Sequence, residues 1–292
     1  MDHHVVVDGT RAVRGGGLSP AEIIGLFALE PVEVDLFRDR GVPGGVGRLF
    51  GGQVAAQALV AAGHTADEAR PHSLHAYFLR PGDARARVLY QVDRLHDGRT
   101  FRRRRVTAIQ RGEPLLCLDC SFTADTSVPA DYDPAPAVPA PEECVPFRRA
   151  GQGRGRLTPW NVIEARRVPG PEVPLIRATA ADFWFRFLAP SAEGVLPEAI
   201  LAYLSDLTLA STAVRPTRRL PAGRTDVTDV TSLDHCVWFH HRPALSDWLL
   251  YAKTSPAVGP VRGLSAGRIF NRDGTLVASV SQEALLHTGK GT

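Results

Sequence analysis

Long apolar runs are missing from this 292-residue chain. None reaches the ~20 residues that a helix needs to cross a bilayer, so no membrane partner is expected. Cysteine is scarce, with only Cys117, Cys120, Cys144 and Cys236. Four thiols in a chain of this length exclude a disulfide-built scaffold and fit a reducing compartment. Lysine is nearly absent. All but two of the 34 basic residues are arginine, the exceptions being Lys253 and Lys290. Arginine suits phosphate recognition through its planar fork. Here the bias runs along the whole chain together with Ala, Gly and Pro, so it marks no local site. Met1 to Arg14 contain Asp and His where a secretory leader would be basic and then apolar. Gly289 to Thr292 form no lipidation or organelle address. A cytoplasmic location is the expectation.

What is present is an ordinary globular balance. Hydrophobic residues make up 44% and charged residues 22%, enough for one large domain or two medium ones. Thr123 to Pro146 is dense in Pro and Ala, as in Asp133-Pro134-Ala135-Pro136 and Val138-Pro139-Ala140-Pro141. It has no periodicity and reads as an extended linker between halves of similar size. The halves are expected to cover 18–123 and 156–292, with the linker at 124–155.

Each half runs helix, strand, strand, turn, strand. Gly51-Gly52 opens an alanine-rich segment ended by Gly63, and Pro197-Glu198 opens an apolar segment read as a helix over Pro197–Thr212. Both segments are apolar nearly all round, so both helices should be buried. Ser73 to Pro81 and Ser232 to Pro243 follow as strands. Two hairpins then turn at Arg111-Gly112 and at Asp273-Gly274, the latter a strong turn signal. A buried helix against a curved antiparallel sheet, repeated twice, is an α+β architecture. The two copies could join edge to edge and bury each other's exposed strands.

Asp206 lies among Leu204, Leu207 and Leu209. A buried carboxylate must be paired, hydrogen-bonded or functional. Superposing the repeats sets Gln57 opposite Asp206, Ser73 opposite Ser232 and Ser121 opposite Gln282. Only the second half has a carboxylate in its set. That asymmetry points to one water-activating centre, with Asp206 as general base and Ser232 and Gln282 holding the water. A structural cap or ion pair at Asp206 is the competing reading.

Several segments now bear a resemblance. Leu49-Phe50-Gly51-Gly52-Gln53-Val54, His72 to Asp83, Asp234-His235-Cys236-Val237-Trp238-Phe239-His240 and Asp273 to Glu283 are similar to the type II acyl-CoA thioesterase family. The resemblance spans about Leu18 to His287 and implies a double hotdog fold: two tandem repeats, each a central helix wrapped by a curved antiparallel sheet. It implies hydrolysis of fatty acyl-CoA to a free fatty acid and CoA by an activated water, with catalytic Asp, Ser and Gln at Asp206, Ser232 and Gln282. His72 matches a family histidine near the site. Thioesters are electrophilic enough for direct attack by a positioned water. Backbone N–H groups at Gly52 and Gln53 are candidates for holding the oxyanion. The sequence departs from the family at Arg102 and Arg103, which enlarge a basic strand, and across Val168 to Leu188. A homo-oligomer, dimer or tetramer, is expected. The rivals are a non-catalytic acyl-CoA-binding module and a hydratase or dehydratase on the same fold.

Other motifs have plainer readings. Gly263-Leu264-Ser265-Ala266-Gly267 fits the nucleophile-elbow pattern, which requires a strand, a sharp turn and then a helix. Here Arg268-Ile269-Phe270 continues as strand, so Ser265 is not expected to be a nucleophile. Cys117 and Cys120, like His72 and His75, stand three apart on a strand and should face opposite ways. No metal and no cofactor are expected. Arg102 to Arg105 should split between two faces as a solvated or ion-paired strand, with the phosphates of CoA as a second reading and nucleic acid disfavoured. Phe183-Trp184-Phe185-Arg186-Phe187 reads as core strand rather than acyl pocket.

Overall fold

A computed structural model describes residues 20–42, 45–67, 69–125, 127–128, 131–146, 163–169, 182–188, 197–214 and 226–288. The readings at Met1 to Arg14 and at Gly289 to Thr292 lie outside the described residues. So do parts of the linker and of the second half, and the middle of Val168 to Leu188.

Three α-helices and fourteen strands appear among the described residues. The helices are α1 (Pro20–Leu26), α2 (Gly51–Gly63) and α3 (Pro197–Ser205). The first strands are β1 (Glu30–Glu33), β2 (Leu36–Arg38), β3 (Arg70–Phe78), β4 (Leu89–Asp97), β5 (Phe101–Gln110) and β6 (Glu113–Thr123). Then come β7 (Val145–Pro146), β8 (Ile163–Arg167), β9 (Phe183–Phe187), β10 (Val227–Ser232), β11 (Asp234–Phe239), β12 (Leu249–Val258), β13 (Arg262–Asn271) and β14 (Leu276–Thr288). All fourteen join one antiparallel sheet in the order β1-β2-β4-β5-β6-β3-β11-β14-β13-β12-β9-β8-β7, with β10 paired to β14. The order is mirrored about the β3–β11 pair, where the two halves share backbone hydrogen bonds from Ser73–Trp238 to Tyr77–Asp234. Joining there removes an exposed edge from each half.

The helices form as their sequences dictate. Every residue of α2 from Gly52 to Ala62 is buried, as the small side chains of an alanine-rich helix allow. The helix packs on β3 to β6 and against α3. Phe50 and Phe27 close over the Tyr203 ring edge-on, at 5.2 and 5.8 Å between centroids. Arg70 on β3 pairs with the buried Glu198 at the start of α3 at 2.8 Å, a further tie between the halves. The first hairpin turns on Arg111 and Gly112, both at positive φ (54° and 82°), which matches the right-handed twist of the strands.

Three expectations are corrected in detail. The second helix ends at Ser205, well short of Thr212. A turn follows, and then a 3₁₀ segment, Ala210–Val214. The Ser205 hydroxyl donates back to the Ala202 carbonyl, and the Tyr251 hydroxyl donates to the Ser205 carbonyl at 2.9 Å. Those bonds occupy carbonyls that a longer helix would use. The Pro/Ala stretch is not a free spacer. Tyr132, Ala135, Val138 and Cys144 pack against Trp184, Trp248, Leu250 and Phe270, and the Trp184 indole donates to the Pro139 carbonyl at 2.9 Å. Proline supplies rigid apolar surface without donors that need partners. Last, a bulge between Pro71 and Ser73 breaks the alternation of β3. His72 and His75 therefore line one shallow cleft with Arg103 and Ser121, contrary to the parity argument. Among the described residues no group of three His, Cys, Asp or Glu could hold a metal.

Candidate active site

Asp206 lies one residue past α3, anchored by the bonds that end the helix. Behind it, the Ser205 hydroxyl meets Nε2 of His235 at 2.9 Å. His235 is fully buried, which holds its imidazole neutral by pushing its pKa down to about 3. The Asp206 carboxylate points at the start of α2. That helix has no side-chain cap of its own at Phe50, and the backbone of Gly51 and Gly52 faces Asp206 closely. A carboxylate from the second half thus meets the positive end of a helix of the first half.

The glycines make this approach possible. A Cβ on Gly52 would lie 2.9 Å from Asp206 Cβ and 2.7 Å from the Phe50 ring. One on Gly51 would lie 3.2 Å from Asp206 Oδ2 and 3.0 Å from the Phe78 ring. A side chain at Gly52 would displace the carboxylate.

Ser232 and Gln282 come from the sheet. β10 and β11 pair with successive parts of β14 and meet at a bend, Leu233. Gln282 stands opposite that bend. There the Leu233 N–H donates to the Glu283 carbonyl and the Glu283 N–H to the Asp234 carboxylate at 2.6 Å. The bend turns Ser232 toward Gln282. Gln282 Nε2 then donates to Asp206 Oδ1 at 2.5 Å and to Ser232 Oγ at 2.9 Å. Gln282 is fully buried and Asp206 nearly so. Burial raises the Asp206 pKa from 3.8 to about 6, against the lowering effect of the Gln282 and Gly52 hydrogen bonds. The result is a carboxylate that is ionised at neutral pH and more basic than an exposed one.

The remaining candidates lie elsewhere or are already engaged. His72 bonds to Ser121 Oγ at 2.8 Å and meets the Phe101 ring edge-on. Burial and Arg103 hold its pKa low. Its partners are outside the Asp206 set. Gly52 faces Asp206, and the Gln53 N–H donates to the Phe50 carbonyl at 3.1 Å. Ser265 is in mid-strand on β13, with no helix after it. The arginine run divides as expected: Arg104 is buried and ion-paired to Asp97, while Arg105 pairs with Asp119 on the other face. Phe183 to Phe187 form β9, with four of the five residues buried. Tyr251 and His235, which anchor the chain behind Asp206, were not singled out from the sequence. Their signal was a polar tip on an apolar strand, which must find a partner when buried.

Comparison with known proteins agrees with the fold and with the family. The chain superposes on a hotdog-fold protein from Alicyclobacillus acidocaldarius (TM-score 0.72, 19% identity, covering 92% of this chain and 98% of that one). It also superposes on an acyl-CoA thioesterase II from Mycobacterium marinum with TM-score 0.75 and 35% identity, over 92% of this chain and 100% of that one. The fold is therefore a hotdog fold of the thioesterase type. Residues 41–124 match the acyl-CoA thioesterase N-terminal domain and residues 129–286 the C-terminal domain. The rat protein acyl-coenzyme A thioesterase 8 is 34% identical over 96% of this chain and 93% of its own length. Acyl-CoA thioesterase 2 of Haemophilus influenzae is 33% identical over 90% and 96%. The chain belongs to the acyl-CoA thioesterase family.

Proposed function

We propose that this acyl-CoA thioesterase works through Asp206, Ser232 and Gln282, which position and deprotonate one water for attack on the thioester. The observation that carries the reading is the Gln282 amide, which donates to both the carboxylate and the hydroxyl from a buried position. Asp206, with its pKa near 6, accepts the proton of a water held by Ser232 Oγ and the carboxylate. The hydroxide forms a bond to the thioester carbon as the C=O electron pair moves onto oxygen. When that intermediate collapses, the C–S bond breaks. The CoA thiolate leaves with the pair and takes the proton back from Asp206. The products are a carboxylic acid and CoA.

The thioester carbonyl would lie against the positive end of α2, competing for the N–H groups of Gly52 and Gln53. We read the mirrored strand order as two tandem hotdog repeats, each with its own central helix, and the substrate as a fatty acyl-CoA. No helix among the described residues is long and apolar enough to cross a membrane. Cytoplasmic location and homo-oligomerisation belong to the same proposal, and sedimentation of the purified protein tests the second.

Release of free CoA, followed with a thiol reagent across acyl chain lengths, tests the activity. Acyl-CoA that binds without CoA release would favour a binding module instead. Asp206→Asn should lower the rate of release about 10²- to 10⁴-fold while leaving the protein folded.

A further inference from the structure

Behind Asp206 the buried His235 Nδ1 has no hydrogen-bond partner among the described residues, and neither do two further buried polar atoms of this site: Gln282 Oε1 and Ser265 Oγ. Their residues are register partners, Ser265 on β13 directly opposite Gln282 on β14. Both residues are fully buried, on the inward face of the sheet. Opposed residues of an antiparallel pair have Cβ atoms ~5 Å apart, so the two side chains are neighbours. One atom is an acceptor short of a donor, and the other is a hydroxyl able to donate.

Along its own strand Ser265 is flanked by close apolar contacts, while the buried polar side chains of Gln282 and Lys253 lie on the neighbouring strands. Gly263 and Gly267 flank it on the same face. A Cβ on Gly263 would lie 2.5 Å from the Ala213 Cβ, and one on Gly267 would lie 2.4 Å from the Tyr251 ring. The two glycines let these groups down onto the strand on either side of the hydroxyl. An unmatched hydroxyl in such a place is destabilising, and alanine would fill the same space without that cost. The serine therefore calls for a role, and its place in mid-strand rules out the nucleophile elbow.

We infer that Ser265 is a positioning residue for hydrolysis: its hydroxyl is linked to Gln282 Oε1 through one bound water, and so keeps Nε2 turned to Asp206 and Ser232. The inference rests on the assignment of those three residues as the hydrolytic centre. The two ends of an amide are nearly alike in shape and can exchange by rotation. While Asp206 is ionised, its charge alone holds Nε2 in place. Once Asp206 has taken the proton from water it becomes a donor, and the rotated amide, with Oε1 toward Asp206, comes close in energy. A donor fixed behind Oε1 removes that alternative while the proton waits for the leaving thiolate.

The test compares Ser265→Ala, Ser265→Thr and Asp206→Asn by CoA release over a pH series. Ser265→Ala should lower kcat about threefold to tenfold, the scale of one hydrogen bond, with KM unchanged. Its acid limb should move up by about half a pH unit to one unit, because the freed amide stabilises protonated Asp206. Ser265→Thr, which keeps the hydroxyl, should return the limb to the parental position. A Ser265→Ala protein with parental kcat and acid limb overturns the inference, as does an equal shift of the limb in Ser265→Thr. If Asp206→Asn hydrolyses at the parental rate, the assignment of the centre itself fails. If Asp206→Asn is inactive and Ser265→Ala is silent, only the role of Ser265 fails.

Discussion

The two halves bury polar side chains on their inner faces and treat them in opposite ways. In the first half, Gln57 Nε2 donates to the Leu26 carbonyl at 2.6 Å, and its Oε1 accepts the Tyr90 hydroxyl at 2.7 Å. Gln53 Nε2 adds a longer contact to the same oxygen at 3.5 Å. The amide is satisfied at both ends by protein groups. In the second half, Gln282 uses only Nε2, and the acid it meets is a desolvated carboxylate. Similar frames thus hold a closed network on one side and an open one on the other. Closed networks fix a fold, whereas an open lone pair beside a basic carboxylate is what a bound water can use. The first half has an unmatched atom too, Asp39 Oδ2. Its partner oxygen takes the Val88 N–H, and burial raises the Asp39 pKa although Arg87 and Arg38 pull the other way.

The sharpest way to break the comparison is to remove the charge. Asp206→Asn should lower kcat about 10²- to 10⁴-fold, the usual contribution of a general base. Stability should move the other way. The folded pKa of Asp206 is raised from 3.8 to about 6, so the fold favours the protonated acid. That stabilising effect is complete below about pH 4 and is lost as pH rises through about 6. Asn is neutral throughout. At pH 7.5 the Asn variant should therefore melt above the parent, and the gap should close toward pH 4. For the same reason the parental kcat/KM should fall below about pH 6, as Asp206 becomes protonated. A melting temperature that drops with activity would mark Asp206 as structural.

Ser232→Ala and Gln282→Ala should come next, with losses in kcat of up to about 10²-fold and little change in KM, since both hold water rather than CoA. If the three residues act as one unit, pairwise combinations should cost far less than the product of the single losses. Fully multiplicative losses in steady-state assays would point to separate roles. Gly52→Ala should be milder, about tenfold, because its methyl group pushes Asp206 aside by a fraction of an ångström without removing it.

Much of this was legible in the sequence, and the reasons differ by element. The helices announced themselves through Gly51-Gly52, the alanine run and Pro197-Glu198, and the hairpins through their turn residues. Asp206, Ser232 and Gln282 were selected by repeat logic because a lone carboxylate in an apolar stretch is conspicuous. What stayed hidden depended on tertiary contacts. The early end of α3 is set by Tyr251, 46 residues downstream, and no local propensity reports it. The bulge that turns His72 and His75 to one cleft leaves no mark on the pattern of β3. The docking of the Pro/Ala stretch depends on Trp184 and Trp248, which composition cannot pair with it. The approach of Asp206 to the start of α2 joins residues more than 150 positions apart, and only the glycines at 51 and 52 hinted that something would approach closely.

The smallest kinetic effect should come from Gln57, and it is the cleanest control on the comparison. Gln57→Leu keeps the volume of the side chain but strips the Tyr90 hydroxyl and the Leu26 carbonyl of their partner. Tyr90 is fully buried, so its hydroxyl gains no water in exchange. Leaving a buried donor and a buried acceptor unmatched costs about 1–3 kcal/mol each. The melting temperature should fall by several degrees, while kcat and KM stay within about twofold of the parent at a temperature where both proteins are folded. Gln57 and Asp206 variants would then separate in opposite directions, one losing stability and keeping its rate, the other keeping stability and losing its rate. A Gln57→Leu protein with an intact melting temperature and a deep loss of kcat would reverse that separation. The first half would then hold part of the chemistry.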